Sequence, residues 1–65
     1  MDEMQVREEQ RLLKAREVAA VLNISRALAY RLMRSGQIPV VRVGHAVRVI
    51  PRDLVAYINS RRIDS

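Results

Sequence analysis

The residues in this chain best suited to chemistry are arginines at two places. Arg26, Arg31 and Arg34 fall on one candidate helix, and Arg42 and Arg48 fall on a candidate hairpin. A guanidinium presents a planar fork of donors and no acceptor, which suits phosphates and guanine edges. This is binding chemistry, not bond-making chemistry. The chain has one histidine and no cysteine, and no paired carboxylates stand at a useful spacing. Tyr57 falls on an apolar stripe, a poor place for a nucleophile. Gly36 and Gly44 are isolated turn residues rather than a phosphate loop. A metal site would need ligands that are not there. The expectation is therefore no enzyme, no metal, no cofactor and no small-molecule substrate.

The arginines must be held by local structure, and the 65 residues allow one small domain. A first helix is expected over residues 15–22, with Val18, Ala19 and Leu22 as its apolar stripe and Glu17 in its first turn. Asn23 tolerates the left-handed conformation of a sharp turn, and Ile24 should plug the angle that follows. Ser25 is the best N-cap in the chain for a second helix over residues 26–35, buried through Ala29, Leu32 and Met33. Gly36 caps its end, and Pro39 blocks continuation. Residues 40–50 then alternate as strands. Pro51 suits the first position of a last helix, with Asp53 in its first turn. That helix carries Leu54, Tyr57 and Ile58 as its stripe and Arg61 and Arg62 near its end.

The fold class is thus mostly α with a small β-hairpin, in the order helix, helix, hairpin, helix: a winged helix-turn-helix. An acidic leader is expected over residues 1–11, the folded domain over 12–62 and a short tail over 63–65. A lone hairpin is unstable in water, so its valines must pack on the helices.

The buried stripe leaves Ser25, Arg26, Ala27, Leu28, Tyr30, Arg31 and Arg34 on the outer face of the second helix. Arg26, near the helix start, is placed to reach a guanine edge. Ala27 and Leu28 offer only a thymine-methyl contact. Tyr30 and Arg31 suit phosphate or a base edge. The plainer alternative is a solvated arginine face with Tyr30 at the domain rim. On the hairpin, an odd loop Gly44-His45-Ala46 would pair Val43 with Val47. It would place Val41, Val43, Val47 and Val49 on one face and Arg42 opposite Arg48 on the other. A two-residue turn at Gly44-His45 would mix the faces and is disfavoured. Facing arginines repel by up to about 1 kcal/mol, and an anion between them would relieve this. Gly44 allows close backbone approach at the tip. His45 offers a backbone contact or is simply an exposed turn residue.

Charge supports a polyanionic partner. The net charge is +5, but the first nine residues hold Asp2, Glu3, Glu8 and Glu9 against Arg7. Residues 10–65 hold eleven Lys/Arg against three acids, a net of +8. A basic globule with an acidic leader points to nucleic acid. The absence of cysteine suits a reducing compartment. No apolar run is long enough for a membrane span, so no membrane partner is expected.

Residues 13–54 resemble the excisionase-type winged helix-turn-helix family, related to the DNA-binding domain of MerR-type regulators. The resemblance is carried by Glu17, Ala19, Leu22, Ile24, Ser25, Tyr30, Arg31, Gly36, Ile38, Pro39, Arg42, Gly44, Arg48 and Leu54. It implies that the second helix enters the DNA major groove and that the hairpin reaches the adjacent minor groove. It also implies contacts from Ser25, Arg26, Leu28, Tyr30, Arg31, Arg42 and Arg48. Family members of this size include recombination directionality factors, which bind repeated sites, bend DNA and help an integrase excise a phage or mobile element. Others are small transcription regulators. Three positions depart from the family pattern. Lys14 stands at an N-cap usually held by Thr or Ser, which weakens the helix start by about 1 kcal/mol. Leu28 replaces a small hydroxyl residue, and Asn23 replaces a turn glycine.

The expectation is a sequence-specific double-stranded DNA-binding protein of a prokaryotic cytoplasm, associated with the nucleoid when bound. It would act as an excisionase beside an integrase and with further copies of itself on adjacent sites. Transcription regulation needs only the same sequence-specific binding and stays open. A protein-interaction adaptor with a basic face is a third, weaker reading.

Overall fold

In the computed structural model the described residues are 11–63. The elements are α1 (Ala15–Leu22), α2 (Arg26–Arg34), β1 (Val41–Val43), β2 (Ala46–Arg48) and α3 (Pro51–Ser60). This is the helix, helix, hairpin, helix order expected from the sequence. Most of the expected acidic leader, residues 1–10, lies outside the described residues, as do residues 64–65 of the tail.

Each boundary has a local cause. At the start of α1, Lys14 makes no side-chain cap bond, because an ammonium has no acceptor to offer. Glu17 supplies the other half of a capping box instead: its carboxylate accepts from the Lys14 backbone N–H at 2.7 Å. That bond, with help from the Lys14, Arg16 and Arg11 charges, holds the Glu17 carboxyl below its ordinary range against the opposing effect of desolvation. Asn23 closes α1 at φ 58°, ψ 49°. The Ile24 N–H reaches back to the Ala19 carbonyl at 3.0 Å and the Asn23 N–H to that of Ala20 at 3.3 Å, a Schellman pair. Ser25 then caps α2, its hydroxyl accepting from the Leu28 N–H at 3.1 Å. Gly36 turns the chain away from α2 at φ 85°, and Pro51 opens α3.

Val18, Ala19, Ala29, Met33, Ile38, Val49 and Leu54 form one buried cluster. Leu13, Leu22, Ile24, Leu32, Val40, Val47 and Tyr57 pack around it, half-buried. Ile58, expected on the buried stripe of α3, is 39% exposed.

The hairpin register corrects the odd-loop expectation. Val43 pairs with Ala46, Arg42 with Val47 and Val41 with Arg48, so the turn is the two-residue Gly44-His45. Gly44 has φ 61° and His45 does not have positive φ, as a type II′ turn requires; such turns match the twist of the flanking strands. The pairing also keeps Arg42 and Arg48 from facing each other, which removes the repulsion built into the other register. Alternation then puts Val40, Arg42, Val47 and Val49 on the helix-facing side. Val41, Val43, Ala46 and Arg48 lie on the outer side, and Val43 is accordingly 56% exposed. Past the hairpin, Leu13 and Val49 form an isolated antiparallel bridge. Their N–H groups donate to each other's carbonyls at 2.8 and 2.9 Å. The backbone just ahead of α1 is thereby tied to the base of the hairpin.

Candidate nucleic-acid interface

Burying Ala29 and Met33 fixes the rotation of α2. Ser25, Arg26, Ala27, Leu28, Tyr30, Arg31 and Arg34 are left exposed. The Ser25 oxygen is engaged as the cap, while its hydroxyl proton remains a donor. Arg34 lies over the Tyr30 ring, 5.6 Å from its centroid, a cation–π contact that steadies the guanidinium.

The corrected register places Arg42 in a new setting. On the helix-facing side but beyond the edge of the core, it meets the C-terminal half of α2. Tyr30 and Arg34 from α2 and Arg42, His45 and Val47 from the hairpin together line a notch of about 230 Å³. Tyr30 and Arg34 of the helix and Arg42 and His45 of the wing, four of the residues expected to contact DNA, thus share one surface. No carboxylate lines the notch among the described residues. Arg48 stands apart on the outer side, half-buried, where its Nη1 donates to the Val47 carbonyl at 2.9 Å. Gly44 at the tip has open space around its α-carbon.

Leu28 lies on a different flank. With Ile24, Leu32, Tyr57, Ile58 and Arg61 it lines an apolar groove of about 510 Å³ between α2 and α3. At its rim, Arg61 sits 5.4 Å from the centroid of the Tyr57 ring and donates to Gln37 Oε1 at 2.7 Å. This contact ties the end of α3 to the loop after α2. It joins residues 24 apart, and no periodicity signals such a pairing. The role of Val47 as a wall of the notch was missed for the same reason as the register. Among the described residues there is no cluster able to hold a metal ion, and no helix is long and apolar enough to cross a membrane.

Two helices joined by a tight turn, a forward-reaching hairpin and a third supporting helix define the class: a small winged helix-turn-helix DNA-binding domain. Residues 12–62 match the family model described as a helix-turn-helix domain, and the chain belongs to that family. It is 47% identical over 38 residues to "Putative DNA-binding protein MT0521" of Mycobacterium tuberculosis (strain CDC 1551 / Oshkosh). It has the same identity to "Putative DNA-binding protein Rv0500A" of the H37Rv strain. Each match covers 58% of this chain and 49% of the relative, so the chain spans about half the length of the curated relatives it matches. No solved structure matches significantly.

Proposed function

We propose that this protein binds double-stranded DNA sequence-specifically and serves as an excisionase, an architectural partner of an integrase, with no catalytic step of its own. The observation that carries the reading is the shared surface of α2 and the hairpin. Tyr30 and Arg34 stand beside Arg42 and His45, and Arg26 and Arg31 are exposed on the same helix. With α2 in a major groove, Arg26 near its start meets base edges. The wing arginine reaches the backbone beside the groove.

Scale supports the architectural role. A single module of this kind covers about 600–1,000 Å² of DNA, at the low end for specific complexes. Among the described residues the longest helix, α3, has 10 residues, too short for a coiled-coil dimer. Occupancy then depends on neighbours along the DNA: further copies or an integrase. The test is a gel-shift series on the DNA flanking the gene, repeated across salt concentrations. A ladder of cooperative complexes on repeated sites is expected, with affinity falling steeply with salt. A single shifted species at one promoter site would assign the protein to transcription control instead. No salt-sensitive shift would sink the DNA-binding reading.

A further inference from the structure

The apolar stripe of α3 runs on past the core. Leu54 is buried, but Ile58, one turn further, is 39% exposed. On α2, Leu28 is 36% exposed. Both line the groove of about 510 Å³ between the two helices, whose apolar surface also takes in Leu22, Ile24, Leu32 and Tyr57. None of these six side chains is fully buried. Scattered exposed apolar residues are ordinary on a protein surface, but six converging on one concavity mark an interaction surface.

Charge indicates what covers it. The charged residues lining the groove are Arg61 and Arg62, with no carboxylate among them. Glu17 and Asp53, the only acids among the described residues, do not line it. Arg61 is held at the rim by the Tyr57 ring and by its bond to Gln37 Oε1 at 2.7 Å. That one bond leaves most of its five N–H donors for an incoming group. A guanidinium fixed in advance loses little freedom when it meets an anion. A second copy seated groove to groove by two-fold symmetry would bring the same cationic rims together, which disfavours a self-partner. Ile24, Leu28 and Leu32 recur every four residues along one wall, a length of about two helical turns. A docked helix with apolar side chains at i, i+4 and i+7 presents a face of that length.

We propose that the groove between α2 and α3 receives an acidic amphipathic helix of a separate protein. The apolar face of that helix lies on Leu28, Leu32, Tyr57 and Ile58, and a carboxylate on its flank pairs with the Arg61 fork. The groove lies on a different flank from the notch between α2 and the hairpin, so the proposal stands or falls independently of the DNA-binding reading.

The probe is a labelled synthetic peptide of about 14 residues, or four helical turns, with leucines at i, i+4 and i+7 and glutamates on the other face. It is titrated by anisotropy against the full chain. One control peptide has the same composition scrambled, and another has lysine for each glutamate. The acidic amphipathic peptide should bind about 10-fold or more tightly than either control. Ile58→Asn and Arg61→Gln, each checked for fold by circular dichroism, should each weaken it by about 5-fold or more. Equal affinity for the scrambled peptide, or binding untouched by both substitutions, would overturn the proposal. So would a full chain carrying Asp2→Asn, Glu3→Gln, Glu8→Gln and Glu9→Gln that binds the probe about 10-fold tighter than wild type, because the groove would then serve the chain's own acidic leader. Dimerisation in sedimentation runs that Ile58→Asn abolishes would assign the groove to a second copy and overturn it as well.

Discussion

Arg26 and Arg31 are exposed on the same helix as Arg34, yet the three have different tasks in the proposed complex. A side chain that reads a base discriminates between sequences. One that meets phosphate adds affinity for all of them. Arg26→Ala or Arg31→Ala should therefore weaken specific binding by about 1–3 kcal/mol and relax sequence preference at one base pair, measured by titration against a panel of substituted sites. Arg42→Ala should weaken binding to every duplex and reduce the salt slope by about 0.9. Arg48→Ala should do less, since Arg48 stands on the outer side with one nitrogen engaged by its own strand. Glu17 gives a residue-scale prediction for stability. Its carboxyl is held below the ordinary glutamate value, chiefly by the Lys14 N–H. This contribution is present above that value in the unfolded chain and is lost as pH falls through the lower folded value. Glu17→Ala should therefore lower the melting temperature near neutral pH and narrow the difference from wild type in acid.

At the scale of elements, the caps and the turn decide most. Ser25→Ala removes the acceptor for the Leu28 N–H and should cost about 1 kcal/mol in thermal unfolding. Gly44→Ala meets no steric neighbour, but it forces a side chain onto a left-handed backbone at φ 61°. It should cost about 1–2 kcal/mol and weaken DNA binding by disturbing the wing. The helices were legible in the sequence because their signals are local: Asn23, Ser25, Gly36 and Pro51 each mark a boundary within a turn of where they act. The placement of the site residues on α2 was legible for the same reason, since burial of Ala29 and Met33 leaves only one outer face. The hairpin register was not. Four valines alternating with two arginines favour the odd loop by pattern, and the facts that overrule it are backbone twist at Gly44 and repulsion between Arg42 and Arg48. With the register went the notch, because one residue of slip moves Arg42 to the other side of the strand. The bridge between Leu13 and Val49 and the Arg61–Gln37 bond left no trace in local pattern, since both join distant parts of the chain.

At the scale of the whole molecule, seven buried side chains among the described residues carry the packing, and a core this small leaves a margin of only about 3–5 kcal/mol. Met33 is the largest fully buried side chain among the described residues, at 1% exposure. Met33→Ala should cost about 2–5 kcal/mol, enough to unfold much of the population at room temperature, read as lost helical circular dichroism. The backbone bridge between Leu13 and Val49 has a consequence of another kind. It clamps the root of the wing to the body of the protein, so in the proposed complex α2 and the wing would act as the fixed jaws of a gauge. Where a groove and its neighbouring backbone did not match the opening of such a gauge, the duplex would have to yield rather than the protein. Sites rich in easily deformed pyrimidine–purine steps should then be held more tightly than stiff sites presenting the same base contacts.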